Sequence, residues 1–205
     1  MAKGSSVRTV PMDGLHEHLL RGSSSALNSH PTSSSFSDES SATNIPQGLL
    51  AFPAECNFSG NRSNLNMIKE AKKNHWYVLL DAAKYVSTSE LDLSIHLADF
   101  VVVSFYKMFG YPTGLGALIV RNESMSILKR TYFGGGTLAA ASSESYNESL
   151  SNDRPFSRFV DNPSQRYEDG TINYLSILSL IDGLILLTSI GIRNISKHVQ
   201  SLSFS

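Results

Sequence analysis

The sequence has one cysteine, almost no net charge and no long uninterrupted apolar run. Cys56, the single cysteine among 205 residues, excludes an internal disulfide and is typical of a reducing compartment, so we expect a cytoplasmic protein. The formal net charge of −1 gives no overall attraction to nucleic acid or to an anionic membrane. The most hydrophobic stretch, residues 174–192, is interrupted by Asp182 and two glycines and is too short for a good membrane span. The composition therefore predicts a protein with neither nucleic acid nor membrane among its partners.

Two segments are polar and have no sustained hydrophobic periodicity. Residues 1–48 contain 12 serines and few aromatic residues, a composition that cannot bury enough apolar surface to offset the entropy lost on ordering. We expect a flexible Ser-rich segment there. The stretch from Ala141 to Arg166 is rich in Ser, Asn and Asp and predicts a long mobile loop, either disordered or functional.

Short apolar runs and helical patterns occupy the rest of the chain. Four runs predict β-strands: GLLAFPAE, WYVLLDAA, ADFVVVSFY and GALIVRN. Because these runs are continuously apolar rather than alternating, they favour strands buried on both faces of a sheet. The pattern also predicts a helix over LNMIKEAKKN, capped by Asn64 or Ser63. Two closing helices are predicted over INYLSILSLIDGLILLTS and IRNISKHVQSL. The sequence therefore predicts an α/β domain.

Two charged residues stand at the ends of predicted strands. Asp81 ends one strand and Lys107 ends the next, and ligands in open α/β sheets bind outside the carboxyl ends of strands. If the strands are parallel neighbours, both groups face one crevice. Lysine forms Schiff bases with carbonyl compounds, and a carboxylate can hold a pyridine nitrogen protonated, which is the chemistry that pyridoxal phosphate needs. A plain ion pair is the alternative, and for an isolated Asp and Lys it is the more frequent one.

The segment DAAKYVSTSELDLSIHLADFVVVSFYKMFGYPTGLGALIVRN closely resembles the central part of the molybdenum cofactor sulfurases. The amino-terminal domain of these proteins is similar to the cysteine desulfurases of the class V aminotransferase family. AFPAECNFSG, YFGGGT and EDGTINYLSI resemble the same family in the same order. The resemblance implies that residues 49–205 form part of the large domain of a fold-type I pyridoxal-phosphate enzyme, with a mostly parallel sheet flanked by helices.

The resemblance implies a role for five residues. Lys107 resembles the Schiff-base lysine, and Asp81 is similar to the acid that pairs with the pyridine nitrogen. Ser104 resembles a serine that binds the cofactor phosphate, and Asn57 lies where desulfurases have a segment beside cofactor and substrate. Thr137 resembles a residue that reaches the partner subunit's phosphate in related dimers, which implies a homodimer. Each role has an alternative without a cofactor. The Ser104 hydroxyl could simply satisfy the hydrogen bonds of a strand end, and Asn57 could be a turn residue. The glycines beside Thr137 could merely relieve backbone strain.

Three further residues are interpreted through the same resemblance. Lys84 stands where desulfurases usually have Gln or His near the cofactor, and we expect it to point to solvent. Tyr106 replaces a common His before the lysine and favours the sulfurase branch. Cys56 is expected to be a small buried residue rather than the sulfur acceptor, because the acceptor of the family lies well downstream of the lysine. The histidines have no metal-ligand spacing, so no metal site is expected.

The function implied by the resemblance is that of a molybdenum cofactor sulfurase. Such an enzyme uses pyridoxal 5'-phosphate to take sulfur from L-cysteine, releases L-alanine, and passes the sulfur through a persulfide to the molybdenum cofactor. The family binds the molybdenum cofactor in a further carboxyl-terminal domain, which these 205 residues do not include. We therefore expect an incomplete chain that does not catalyse alone. A cysteine desulfurase or another class V enzyme, and a non-catalytic fragment, are the alternatives.

Overall fold

The computed structural model describes residues 48–130, 132–141 and 157–203. The elements are β1 (Gly48–Pro53), α1 (Asn66–Lys73), β2 (Trp76–Asp81), β3 (Phe100–Ser104), α2 (Tyr106–Phe109), β4 (Gly116–Val120), β5 (Leu138–Ala141), β6 (Ser157–Phe159), α3 (Pro163–Tyr167), α4 (Tyr174–Ile190) and α5 (Ile192–Ser203). Two 3-10 helices cover Tyr85–Ser87 and Asn122–Ile127. The predicted flexible segment 1–48 lies outside the described residues except for Gly48, which begins β1.

A four-stranded sheet of order β1-β2-β3-β4 is the centre of the fold. The pairs β1–β2 and β2–β3 are parallel, which confirms the predicted mostly parallel sheet of an α/β domain. The register places Pro53 beside Asp81 and Asp81 beside Val102. The carboxyl ends of β1, β2 and β3 therefore lie along one edge of the sheet.

β4 differs from the prediction of strands buried on both faces. It runs antiparallel to β3 at the edge of the sheet, and Leu118 and Ile119 are exposed. The connection of residues 105–115 contains only the single-turn helix α2. A parallel return needs a crossover of a dozen or more residues, so this short connection brings the chain back antiparallel.

The hydrophobic core lies between α1 and the middle of the sheet. Ile68 and Ala71 of α1 are buried, as are Val78 and Leu80 of β2. Full burial of a side chain such as Ile68 stabilises the fold by about 1.5–3 kcal/mol. The Asn64 side chain accepts a hydrogen bond from Asn66 N at 3.0 Å. The N-cap of α1 is nevertheless Leu65, without a side-chain cap, so the predicted cap by Asn64 or Ser63 is wrong. This core supports the strand ends from one face.

The structure describes only the two ends of the polar stretch from Ala141 to Arg166. Ala141 ends β5, which pairs antiparallel with β6, and residues 142–156 lie outside the described residues. The loop prediction is wrong for residues 157–166, where β6 and most of α3 form. The signal was local: Asn162 accepts a hydrogen bond from Gln165 N at 3.2 Å, and Pro163 occupies the first helical position.

The two predicted closing helices are present as α4 and α5, and α4 packs on α2. Only Leu180 and Leu187 of α4 are buried, although the helix is apolar on all sides. Gly183 lies so close to Phe109 that a Cβ atom built there would stand 2.6 Å from the ring. Within the described ranges, no single helix is long and apolar enough to cross a membrane, but α4 and α5 together, bent by 69°, have the length and composition of a broken span.

Candidate functional site

Lys107 lies immediately beyond the carboxyl end of β3. The strand ends at Ser104 and α2 begins at Tyr106, so the lysine is presented in the first helical turn outside the sheet. Its side chain is half-buried, and Nζ donates a hydrogen bond to Asn57 Oδ1 at 3.0 Å. Gly110, with φ of +81°, ends the turn in a conformation that glycine adopts readily. The lysine is thus held by a neutral side chain.

A hairpin of residues 54–63, here called the Asn57 hairpin, brings this partner to the lysine. It follows β1, and its base is closed by the hydrogen bond from Ser63 N to Ala54 O at 2.9 Å. Nearer the tip, Cys56 N donates to Asn61 O at 2.8 Å. The contact with Lys107 spans 50 residues of sequence.

Asp81 is the last residue of β2 and lies at the same edge of the sheet. Its carboxylate is exposed, and Oδ1 accepts a hydrogen bond from Ala83 N at 3.0 Å. Among the described residues, no ion pair joins Asp81 to Lys107 or to any other cation. The alternative of a plain ion pair between the two strand-end charges is therefore not what the structure contains.

The other two predicted cofactor residues are placed differently. Ser104 ends β3, three residues before Lys107, and is half-buried beside Gly116 of β4. Thr137 is fully buried, and its hydroxyl donates a hydrogen bond to Gly134 O at 2.8 Å. In the part of the chain that the structure describes, no hydrogen bond connects Thr137 to Asn57, Asp81 or Lys107. Asp81 and Ser104 thus end neighbouring strands, Asn57 contacts Lys107 from the hairpin, and Thr137 lies in the GGGT segment.

Lys84 and Cys56 are not placed as the sequence suggested. Lys84 Nζ lies 3.8 Å from Oε1 of the buried Glu55, so the prediction that it points to solvent is wrong. Glu55 carried no sequence signal beyond its place before Cys56. Cys56 is half-buried rather than buried, and hydrogen bonds from Ser59 and Phe58 lower the pKa of its thiol. Among the described residues, no three His, Cys, Asp or Glu side chains form a metal-binding group.

The GGGT and EDGT segments contact each other, which sequence reasoning did not predict. Asp169 Oδ1 accepts a hydrogen bond from Gly134 N at 2.7 Å and also pairs with the Arg130 guanidinium. Arg130 first, and then the Gly134 amide, lower the pKa of the Asp169 carboxyl. Gly170 N donates to Gly135 O at 2.9 Å. These contacts hold the glycine segment that carries Thr137, so the two segments form a structural unit of their own.

Comparison with known proteins identifies one family model and several sequence relatives. The model of aminotransferase class V matches residues 38–205, beginning ten residues ahead of β1. The chain is similar to molybdenum cofactor sulfurase of Homo sapiens, with 45% identity over 168 residues that cover 76% of this chain and 18% of the human protein. Molybdenum cofactor sulfurase of Arabidopsis thaliana is also 45% identical, over 76% of this chain and 20% of that protein.

Among solved structures, the fold is similar to an apo cysteine desulfurase from Thermococcus onnurineus NA1. The TM-score is 0.57 at 27% identity, and the match covers 70% of this chain and 33% of the desulfurase. This similarity confirms the predicted fold of the fold-type I enzymes. The chain spans about a fifth of the length of the curated relatives it matches.

Proposed function

Because this chain belongs to the aminotransferase class V family, we propose that it is part of a molybdenum cofactor sulfurase whose Lys107 bonds the aldehyde of pyridoxal 5'-phosphate. One observation carries the proposal. Lys107 lies at a strand end without a carboxylate partner among the described residues, while Asp81 ends the neighbouring parallel strand. Ligands of open α/β sheets bind outside the carboxyl ends of strands, so an ammonium and a carboxylate there that each keep a neutral partner are suited to a ligand that lies between them.

The strand-end residues fit the chemical groups of pyridoxal 5'-phosphate. The half-buried Lys107 amine suits its aldehyde, and the exposed Asp81 carboxylate, which has one backbone donor, suits its ring nitrogen. The Ser104 hydroxyl at the end of β3 suits its phosphate, and the Asn57 amide suits a polar group beside Lys107. Thr137 belongs to the proposal as a phosphate contact across a homodimer, although its hydroxyl here donates to Gly134.

When bound, the cofactor supplies an electron sink that weakens the bonds at the Cα atom of an attached amino acid. Lys107 Nζ has two tasks in this proposal: it holds the aldehyde carbon, and as a free amine it accepts and returns the proton of the substrate Cα. The Asp81 carboxylate keeps a proton on the ring nitrogen by attracting its positive charge. Asn57 orients Lys107 Nζ through the 3.0 Å hydrogen bond.

The proposed overall reaction takes sulfur from L-cysteine, releases L-alanine and carries the sulfur as a persulfide to the molybdenum cofactor. A thiol reductant outside this chain supplies the two electrons that convert the persulfide sulfur to a sulfido ligand. The identity of 45% to molybdenum cofactor sulfurases, against 27% to the cysteine desulfurase, supports the sulfurase over a general desulfurase. A homodimer is part of the proposal, and it is supported by the exposed apolar side chains of α4, such as Leu175, Leu178 and Ile185. We place the protein in the cytoplasm, in keeping with its single cysteine.

Titration of the purified chain with pyridoxal 5'-phosphate tests the cofactor proposal. We expect a visible absorption band, and borohydride reduction followed by peptide mapping should find the modification at Lys107. Lys107→Ala should abolish the band, whereas Lys69→Ala, which removes an exposed lysine of α1, should retain it. A band that survives Lys107→Ala would overturn the assignment, and no band from the wild-type chain would favour the non-catalytic fragment.

Transfer of labelled sulfur separates the sulfurase from a general cysteine desulfurase. With the protein as it is expressed in cells, label from L-cysteine should reach the molybdenum cofactor in a Lys107-dependent manner. Release of the label only as sulfide, with none on the molybdenum cofactor, would favour the desulfurase.

A further inference from the structure

We propose that Glu55 is a positioning residue that sets the Asn57 hairpin against Lys107. The inference rests on the proposed function of Lys107 and concerns a residue that does not itself touch the lysine. Glu55 is only 7% exposed, and a buried carboxylate is costly unless it is paired and hydrogen-bonded. Its partners come from two different segments of the chain.

The first partner closes the hairpin to which Glu55 belongs. Arg62 Nε donates a hydrogen bond to Glu55 Oε2 at 3.1 Å, and the two residues also form an isolated antiparallel bridge. Ser63, next along the chain, donates its hydroxyl to Pro53 O at 2.6 Å, which fastens the hairpin to the end of β1. The tip, including Asn57, is exposed, so the base determines where the tip lies.

The second partner ties the hairpin to the segment that follows Asp81. Lys84 Nζ lies 3.8 Å from Glu55 Oε1, and Arg62 lies over the Tyr85 ring, 5.6 Å from its centroid. Lys84 and Tyr85 follow the end of β2 by three and four residues. Glu55 therefore joins the ends of β1 and β2, while Asn57 at the hairpin tip reaches to the end of β3.

The charges of this cluster explain why the carboxylate matters. Two cations, the exposed Arg62 and the half-buried Lys84, are attracted to one anion. Without the negative charge they repel each other, and the base of the hairpin loses the contact that joins it to Lys84. We expect the hairpin tip to become mobile and the hydrogen bond from Lys107 Nζ to Asn57 Oδ1 to be populated less.

Glu55→Gln tests the inference because the amide keeps the shape of the side chain and an oxygen that can accept from Arg62. We expect the pyridoxal 5'-phosphate concentration that half-saturates the Lys107-dependent absorption band to rise about tenfold. In an Asn57→Ala background the same substitution should have almost no further effect, because the residue through which Glu55 acts is gone. Glu123→Gln, which breaks the exposed pair with Arg121, is the matched control and should leave binding unchanged.

Two results would overturn the inference while the cofactor proposal stands. One is a Glu55→Gln chain that binds pyridoxal 5'-phosphate as the wild type does. The other is an equal weakening in the wild-type and Asn57→Ala backgrounds, because that is the result of a general structural role. A wild-type chain without any Lys107-dependent band would instead overturn the cofactor proposal.

Hydrogen–deuterium exchange decides the role of Glu55 whether or not the cofactor binds. The Cys56 and Gly60 amides are hydrogen-bonded within the hairpin, to Asn61 O and Cys56 O. Glu55→Gln should speed exchange in the peptide that covers residues 54–63 and leave β2 and β3 unchanged. Unchanged exchange in the hairpin would contradict the inference, and faster exchange throughout the sheet would assign Glu55 to the fold in general.

Discussion

Two aspartate–lysine couples lie at opposite ends of the strands of the sheet and differ in what surrounds them. At the amino end of β3, Asp99 is 1% exposed, and Lys72 Nζ donates to both of its carboxylate oxygens at 2.7 and 2.9 Å. At the carboxyl ends of β2 and β3, Asp81 accepts from a backbone amide and Lys107 donates to an amide side chain. The same residue types therefore form a buried ion pair at one edge of the sheet and stay apart at the edge where ligands of such sheets bind.

The buried pair is fully hydrogen-bonded. Val78 N donates to Asp99 Oδ2 at 2.8 Å, and the Ser124 hydroxyl donates to Oδ1 at 2.6 Å. Burial raises the pKa of Asp99, but the hydrogen bonds from Lys72, Ser124 and Val78 outweigh it, and the pKa is lowered overall. The Asp99 carboxylate therefore joins α1, β2 and the segment after β4 at the start of β3, so its negative charge stabilises the fold. The strand-end couple lacks such a network among the described residues, which leaves its charges free for a ligand.

Asp99→Ala should have the largest effect on stability. It leaves the Lys72 ammonium without its partner and the Val78 amide without an acceptor inside the fold. Breaking a buried pair costs about 3–5 kcal/mol, and because the Lys72 side chain is 33% exposed we expect about 3 kcal/mol, at the lower end. Urea unfolding followed by circular dichroism measures the loss. A change below about 1 kcal/mol, the size found for exposed ion pairs, would mean that the pair is not structural.

A double-mutant cycle should isolate the pairing itself. Lys72→Met keeps the apolar stem of the side chain and removes its charge, so each single variant leaves one partner uncompensated. The double variant Lys72→Met/Asp99→Ala should be more stable than the sum of the single effects predicts, by about 1–2 kcal/mol, because neither charge is then left alone. Additive losses in urea unfolding would show that the two side chains contribute independently, and the contrast with Asp81 and Lys107 would disappear.

Features that depend on local sequence patterns could be predicted from the sequence. These are the strands of the sheet, the helices α1, α4 and α5, and the strand ends that carry Asp81 and Lys107. The antiparallel direction of β4 could not be predicted from its apolar run, because it depends on the short length of the connection between β3 and β4. The hydrogen bond between Asn57 and Lys107 joins residues 50 apart, so without the family resemblance nothing local indicates it. Lys84 was misplaced because its partner Glu55 lies in the Asn57 hairpin, and long-range ion pairs leave no periodic signal in a sequence.

The acid side of the stability profile should depend on Asp99. Because its pKa is lowered in the folded chain, the ionised form stabilises the fold fully above the unfolded-state pKa of about 3.9, and this contribution is lost as the pH falls toward the folded-state pKa. Wild-type stability should therefore fall more steeply below about pH 4 than that of Asp99→Asn, which has no such proton to bind. Urea midpoints of both chains measured across this range provide the test, and parallel profiles would exclude Asp99 as a source of acid sensitivity.

Asp81→Asn should have the smallest effect on stability and still matter for binding. The amide oxygen can accept from Ala83 N as the carboxylate does, and the side chain is exposed, so the free energy of unfolding should change by less than about 0.5 kcal/mol. If Asp81 holds the proton of the cofactor ring, the same substitution should weaken the Lys107-dependent absorption band of pyridoxal 5'-phosphate. A loss of stability as large as that of Asp99→Ala would place Asp81 in the fold rather than in the site. Unchanged stability with unchanged cofactor binding would leave Lys107 as the residue on which the proposed chemistry rests, and the ring nitrogen would then need another partner.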